Sequence, residues 1–220
     1  MCIKIDEFIA VRIGMLDFYI ILDTYFIQKN SMLGIPKYKP QYFSHAIPFL
    51  KKNKHFLLHV LDKKISNYYV QWNTEFNEWN ADGPIILIID EIQYEFTAVQ
   101  LCDYSMTINK IDLSKKLDWY GAGDEMPLIW KESAFNHLNI IQGKTIRNIF
   151  LIEYNFVLEN SIENEIVNEK DYNLVGIEFE FHETDNCLSL TNGLDCNDIN
   201  LSRIEESIMY RRIQITQQSL

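Results

Sequence analysis

Strict alternation of apolar and polar residues is the feature that most constrains the fold of this chain. It runs through EIQYEF (91–96) and VGIEFEF (175–181), and a turn signal, NADGP (80–84), lies upstream of the first stretch. A period of two places successive side chains on opposite faces of a strand, and Asn, Asp, Gly and Pro favour turns. The pattern therefore predicts an α+β protein, predominantly antiparallel β-sheet with one or a few helices.

Most of the chain is predicted to form strands, and one segment a helix. The predicted strands are 54–61 and 65–72, joined as a hairpin, and 85–90, 91–96, 99–103 and 105–111, which follow one another as a meander. PLIWKESAFNHLNIIQG (127–143) predicts a helix, because Pro127 can open it, apolar residues recur at helical spacing and Gly143 can end it. The segments 15–26 and 202–213 are compatible with either helix or strand.

A repeated pattern suggests how the chain is divided. LIIDEIQYEF (87–96) is followed by KIDLS, and IFLIEYNF (149–156) is followed by DINLS. We expect two similar β-rich units, 1–126 and 127–220, with a surface loop at 115–127 between them. Chance similarity between amphipathic strands explains the repeat equally well, so one continuous domain is the alternative.

The net charge of −11 is concentrated in the last third of the chain. Residues 153–206 contain 14 Asp or Glu residues, against Lys170 and Arg203. Such a region repels nucleic acid and anionic membranes and attracts a basic partner. A surface that serves solubility alone is the alternative. A lysine-rich stretch, 51–64, precedes aromatic residues that could stack on bases, but the overall charge argues against nucleic-acid binding.

The N-terminal region and the cysteines indicate the expected compartment. The apolar stretch 13–27 is interrupted by Asp17 and Asp23, which disfavours a membrane span, and the first residues lack the pattern of a secretory signal. The four cysteines are scattered rather than arranged as a disulfide framework, although a bridge between Cys187 and Cys196 is conceivable. We therefore expect a soluble cytoplasmic protein.

Two sets of residues could bind a metal, but their spacing does not favour it. His55 and His59 are separated by four positions without the glutamate of a zinc-protease motif. His182, Cys187 and Cys196 lack the paired ligand units of zinc sites. We expect neither a metal nor a cofactor.

No catalytic motif is apparent, and we expect a protein that is not an enzyme. Glu178 and Glu180 could form a carboxylate pair for acid–base catalysis. Alternation instead predicts that both lie on the solvated face of a strand, opposite Ile177 and Phe179. An enzyme of unfamiliar type that uses Glu178, Glu180 and Asp195 remains the alternative.

Two stretches of the C-terminal part resemble a known class of proteins. GKTIRNIFLIEYNF (143–156) and LVGIEFEFHETDNCLSLTNGLDCNDI (174–199) are similar to small bacterial proteins that include immunity proteins accompanying polymorphic or contact-dependent toxins. The resemblance implies a cytoplasmic, non-catalytic protein that neutralises a cognate toxin. It also implies a surface with charge complementary to a basic toxin.

The expected partner-binding surface combines aromatic anchors with carboxylates, because aromatic residues supply much of the energy of protein interfaces. A structural domain that forms homo-oligomers is a further alternative. The candidate residues are Trp119, Tyr120, Asp124, Glu125, Glu178, Glu180, Asp195 and Asp198.

Overall fold

The computed structural model describes residues 31–156 and 172–217, which form an α+β protein built mainly of antiparallel strands, as the alternation predicts. The first elements are β1 (Ser31–Met32), β2 (Ile35–Pro36), helix α1 (Ala46–His59), β3 (Ile65–Asn73), β4 (Glu78–Trp79), β5 (Ile85–Ile89), β6 (Ile92–Val99), β7 (Asp103–Ile108) and β8 (Leu128–Glu132). They are followed by β9 (Ile146–Asn155), β10 (Tyr172–Phe181), β11 (Cys187–Asn192), β12 (Asn197–Asn200) and β13 (Tyr210–Gln214). Short 3-10 helices cover Gly123–Glu125 and Asn136–Ile141. Within the described ranges, no helix has the length and apolar character needed to cross a membrane.

The strands form two main sheets. The six-stranded sheet has the order β4-β3-β5-β6-β7, and β8 pairs with β3. The five-stranded sheet has the order β12-β11-β10-β9-β13, so its two edge strands, β12 and β13, are consecutive in the chain. Strands β1 and β2 form a separate small hairpin.

The main hydrophobic core lies between the two sheets. Ile85, Leu87 and Ile89 of β5 belong to it, together with residues of β10. Across the interface, the rings of Phe96 and Phe179 pack edge to face with centroids 5.9 Å apart. The two expected units, 1–126 and 127–220, therefore share one core, and β8 from the second range joins the sheet of the first.

The other face of the six-stranded sheet carries a smaller hydrophobic cluster, which we call the outer cluster. Ile86 and Ile88 of β5 point to this side, as period-two alternation requires. The chain before and after the sheet covers them. The buried members are Leu33, Ile35, Tyr38, Ile86, Ile111, Leu117 and Leu128.

The prediction of a strand at 54–61 is wrong, because these residues lie largely within helix α1. Its buried residues include Phe49, Leu50, Asn53 and Leu57, a spacing that places them on one face of a helix. The helix begins at Ala46, so the window 54–61 contains only its second half. The predicted partner strand at 65–72 is confirmed as β3.

The prediction of a helix over 127–143 is also wrong. Residues Leu128–Glu132 form β8, which pairs with β3, and the turn that follows has Ser133 in the left-handed region. Helical structure is limited to the 3-10 turn at Asn136–Ile141. Gly143 does adopt a left-handed conformation, with φ of 75°. Pairing with β3 thus decides the structure of the first part of this segment.

Three other sequence predictions concern local structure. The predicted strand at 99–103 is mostly the turn between β6 and β7, where Gln100 has φ of 54°. The repeated string at 87–96 spans a tight turn, whereas its counterpart at 149–156 lies mostly in the uninterrupted strand β9. The segment 202–213 begins as an irregular connection and ends in β13, and 15–26 lies outside the described residues.

Candidate functional site

Glu178 and Glu180 are buried, so the prediction that they lie on a solvated face is wrong. Their relative exposures are 0% and 3%. Alternation along β10 does place them opposite Ile177 and Phe179, which point into the main core. The side chains point in the predicted direction, but the face that carries Glu178 and Glu180 is covered by other residues instead of water.

The connection between β12 and β13 covers these carboxylates. Because β12 and β13 are opposite edges of the sheet, residues 201–209 must cross about 19 Å of strands, a distance that nine extended residues can span. Hydrogen bonds attach the connection to the face of the five-stranded sheet that points away from the main core, which we call the outer face. The backbone N–H of Ile204 donates to Glu178 Oε2 at 2.8 Å, and Ser189 Oγ donates to the carbonyl of Ser202 at 3.0 Å.

Arg212 neutralises Glu178 between the outer face of the five-stranded sheet and the connection that covers it. Its guanidinium donates to Glu178 Oε1 and lies over the ring of Phe150, with the guanidinium carbon 3.8 Å from the centroid. The side chain of Arg212 is only 9% exposed. Ser189 Oγ also lies 3.2 Å from Glu178 Oε2, so its single proton is shared between this carboxylate and the carbonyl of Ser202. Buried ions are tolerated when they are paired and hydrogen-bonded in this way.

Glu180 is held by donors on both of its oxygens. Asn148 Nδ2 donates to Oε2 at 2.7 Å, whereas Arg203 and Arg212 donate to Oε1. Arg147 contacts Oε2 at 3.5 Å from the rim. Burial acts to raise the pKa of Glu180, but the hydrogen bonds from Asn148, Arg203 and Arg212 outweigh it and lower that pKa below its usual value. A general acid needs the opposite shift.

The lowered pKa of Glu180 predicts a specific loss of stability in acid. A carboxyl with a lowered folded-state pKa stabilises the fold fully above its unfolded pKa of 4.5, and this contribution disappears as pH falls through the folded value. We expect the unfolding free energy of the wild type to fall more steeply below about pH 4.5 than that of Glu180→Gln. Urea unfolding between pH 7 and pH 3 measures this, with Glu205→Gln, an exposed change, as control. Parallel curves for wild type and Glu180→Gln would contradict the prediction.

Cys187 lies beside the two glutamates, and the three ligand atoms are within 4.8 Å of one another. The composition resembles a metal site, but arginine guanidiniums and other donors already occupy the carboxylate oxygens. Burial, and next the charges of Glu178 and Glu180, raise the pKa of the Cys187 thiol, which disfavours the thiolate that binds metals. The arrangement therefore fits an internal ion-pair network better than a metal centre.

Glu153 is a third buried carboxylate with an arginine partner. Arg211 Nε and Nη2 donate to its Oε2 at 2.8 and 2.5 Å, and the N–H of Ala46, at the start of α1, donates to Oε1 at 3.4 Å. A carboxylate at a helix N-terminus is favourable because the N–H groups there lack helical partners. Glu153 thus connects α1 to β9 and β13.

Because three of its glutamates are buried, the acidic stretch 153–206 carries less surface charge than its sequence suggests. Of its 14 acidic residues, three are the buried glutamates, and five lie at 157–171, outside the described ranges. Arginines inside and outside the stretch pair with the buried three. The acidic residues of the stretch that keep surface exposure are Glu183, Asp185, Asp195, Asp198, Glu205 and Glu206.

Asp82, Asp195 and Asp198 form a surface feature that we call the acidic corner. Burial and the charge of Asp195 raise the pKa of Asp82, and all three carboxylates, after burial, raise the pKa of the Cys196 thiol. Among the ion pairs of the described residues, none involves these three aspartates. The corner therefore concentrates negative charge that the fold does not neutralise.

The acidic corner is held rigidly by contacts between the two sheets. The buried side chain of Asn197 donates to the carbonyls of Ala81 and Gly83 at 3.0 and 2.9 Å. Asp195 exchanges hydrogen bonds with the backbone of Gln100, accepting at 2.6 Å and donating at 3.0 Å. The bonds of Asn197 hold the start of β12 against the turn between β4 and β5, and those of Asp195 hold the β11–β12 turn against the β6–β7 turn.

An exposed leucine projects from the tip of the same turn. Leu194 is 66% exposed and adopts φ of 68°, a conformation that costs energy for a residue with a side chain. A groove of about 410 Å³ begins beside it, and Leu194, Asp198 and Tyr210 contribute to its lining. The corner therefore offers an apolar contact next to its negative charge.

Trp119 and Tyr120 lie on a different side of the molecule. Their loop packs on the outer cluster, where the N–H of Asp118 donates to the carbonyl of Gly34 at 2.9 Å and Trp119 is partly buried. Tyr120 is 39% exposed. Asp124 and Glu125 follow in the same loop and are exposed.

The eight candidate partner-binding residues thus divide among three places. Trp119, Tyr120, Asp124 and Glu125 belong to the loop on the outer cluster, beyond the six-stranded sheet. Glu178 and Glu180 are enclosed on the outer face of the five-stranded sheet. Asp195 and Asp198 lie in the acidic corner, where Asp82 and Leu194 join them. Sequence reasoning missed Asp82, although its place in the NADGP turn marked it as a surface residue.

The candidate metal ligands are dispersed. Cys187 is the first residue of β11, and Cys196 lies in the turn after this strand of about 17 Å, so the two are too far apart for a disulfide or a shared ion. His182 is exposed and its Nε2 lies 3.0 Å from Asp62 Oδ1. His55 and His59 share one side of α1 and are exposed.

Comparison of the chain with protein-family models, curated proteins and solved structures finds no match.

Proposed function

We propose that this chain is a non-catalytic binding protein that recognises a basic protein partner through the acidic corner. The observation that carries the proposal is the set of three crowded aspartates without an ion pair among the described residues. Burial, and next the charge of Asp195, raise the pKa of Asp82, and a lysine or arginine of a partner would counter the second of these effects. Leu194, beside them, supplies an apolar contact that isolated charges lack.

The rigidity of the corner supports this role. Binding is more favourable when the surface does not have to be ordered at the same time, and the hydrogen bonds of Asn197 and Asp195 order it in advance. Charge complementarity would mainly accelerate association and exclude acidic competitors. That the partner is a toxin, and this chain its cytoplasmic immunity protein, rests on the sequence resemblance of 143–156 and 174–199.

The proposal is tested with two double variants of equal charge change. Asp195→Asn with Asp198→Asn removes two of the three negative charges of the corner and keeps an oxygen acceptor for the N–H of Gln100. Asp124→Asn with Glu125→Gln removes two negative charges from the exposed loop. A tagged wild-type chain is used to capture partners from its own cells, and the association rate of a captured protein is measured with each variant. We expect the corner variant to associate about tenfold more slowly at low salt, and the loop variant to match the wild type.

Three results would contradict the proposal. Capture of no protein would remove the binding function, and equal rates for the two variants would remove the corner as its site. A slower rate for the loop variant alone would assign binding to the loop that contains Trp119 and Tyr120. Wild-type levels of secondary structure in both variants are the required control.

A further inference from the structure

We propose that a groove between α1, β7 and residues 39–43 binds a small organic anion that carries an apolar or aromatic body. The groove has a volume of about 440 Å³, within the range typical of ligand sites. It lies on the surface formed by the N-terminal half and shares no residue with the acidic corner. The proposal is therefore independent of the proposed function.

Three lysines converge on this groove from three segments. Lys39 precedes α1, Lys52 lies on α1 and Lys110 follows β7. All three are exposed, and none forms an ion pair within the part of the chain that the structure describes. These three cations outnumber the one carboxylate behind the groove, the buried Glu95, which accepts hydrogen bonds from Thr107 and the N–H of Lys110, so the groove has a local positive potential.

Asn53 gives a second indication of a ligand. Its side chain lines the groove and the residue is only 4% exposed, yet its amide nitrogen has no hydrogen-bond partner among the described residues. A buried donor without an acceptor costs about 1–3 kcal/mol, so such groups are rare in proteins. Because this nitrogen has almost no accessible surface, an acceptor oxygen on a bound ligand would reach it only after the Asn53 side chain turns toward the groove.

The edge of β7 that faces away from β6 adds backbone donors, because among the described residues only Phe43 pairs with it. Tyr104 exchanges hydrogen bonds with Phe43 on the side of β7 away from β6, at 2.9 and 3.1 Å. Alternation directs the N–H groups of Met106 and Ile108 to that same side, beyond the end of this short bridge. Both residues line the groove.

The apolar residues of the groove indicate the chemistry of the uncharged part of the ligand. Phe43 and Met106 are buried there, and Phe56 remains 41% exposed. An inorganic anion would leave the exposed part of Phe56 uncovered, whereas an anion with an aromatic or aliphatic body would cover it. Three lysines in an acidic protein are too few to neutralise a nucleic-acid backbone.

The test uses 8-anilinonaphthalene-1-sulfonate as an aromatic anion and N-phenyl-1-naphthylamine as its uncharged analogue. Binding to the full chain is measured by calorimetry for the wild type, Lys52→Glu and Lys110→Glu. The matched control is Lys51→Glu, which changes the same charge on the neighbouring, exposed position of α1 without lining the groove. We expect one sulfonate site, weakened about tenfold by Lys52→Glu and by Lys110→Glu and less than about twofold by Lys51→Glu.

The uncharged analogue should bind more weakly than the sulfonate and respond equally little to all three variants. Several outcomes would overturn the proposal: no saturable sulfonate binding, equal weakening by Lys51→Glu and Lys52→Glu, or equal affinities for the two probes. Displacement of the sulfonate by a single-stranded oligonucleotide at lower concentration would assign the groove to nucleic acid instead. Thermal unfolding of each variant confirms that the fold is retained.

Discussion

Replacing Arg212 with alanine is expected to lower the free energy of unfolding by about 3–5 kcal/mol. Its guanidinium neutralises Glu178 and also donates to Glu180 at 3.2 Å, and both carboxylates are buried. Removal of the cation leaves Glu178 charged and without its ionic partner, in a layer that the connection 201–209 closes to water. Loss of the side chain also removes packing against Phe150. Urea unfolding at pH 7 measures the change.

Arg147→Ala is the matched control for this prediction. Arg147 reaches the same carboxylate, Glu180, but at 3.5 Å and with its side chain 43% exposed. Because the guanidinium is exposed and the separation is long, we expect this pair to contribute about 0–1 kcal/mol, although Glu180 itself is buried. The explanation fails if Arg212→Ala is as mild as Arg147→Ala, because Glu178 would then be solvated or unneeded in the folded protein.

Phe179→Ala is expected to cost about 3–5 kcal/mol, the usual range for removal of a buried phenylalanine. Phe179 lies on β10 with no exposed surface, and its ring packs on Phe96 of the other sheet. Because the two sheets share the main core, we expect both to unfold in one transition, with fluorescence and circular dichroism giving the same midpoint.

The control for Phe179→Ala is Phe76→Ala, a change of the same chemistry at a side chain that is 65% exposed. We expect it to shift stability by less than about 0.5 kcal/mol. Two separate transitions in Phe179→Ala, with the six-stranded sheet surviving the first, would contradict a shared core. They would instead support independent units at 1–126 and 127–220.

The sequence predicts the fold class because alternation is a local property. Each strand of the meander from β5 to β7 can be recognised from its own residues, and so can the orientation of Glu178 away from Phe179. The helix α1, in contrast, is wrongly predicted as a strand over 54–61. Its apolar residues have helical spacing only when the full range Ala46–His59 is considered, and the shorter window 54–61 resembles a strand.

The burial of Glu178 and Glu180 could not be predicted from local sequence. It depends on β12 and β13 being opposite edges of one sheet, which sends residues 201–209 across the carboxylates. The arginine at position 212 is more than 30 positions from its partner Glu178. A count of charges between 153 and 206 includes the buried acids but excludes Arg211 and Arg212, and so overstates the negative surface.

The edge strand β8 shows the same limitation in another form. The segment 127–143 has apolar residues that satisfy a helical period, and proline and glycine at its ends. The unpaired side of β3 offers hydrogen bonds that the sequence of the segment does not reveal. Tertiary pairing of this kind can override local propensity.

A double-mutant cycle between Glu178 and Arg212 tests most directly whether the carboxylates of β10 are internal structural charges. The unfolding free energies of wild type, Glu178→Leu, Arg212→Met and the double variant are measured at pH 7. A buried pair predicts that each single variant is strongly destabilised and that the double variant is more stable than additivity allows by about 2 kcal/mol or more. Additivity within about 0.5 kcal/mol would contradict the account, and would return Glu178 to the solvated surface.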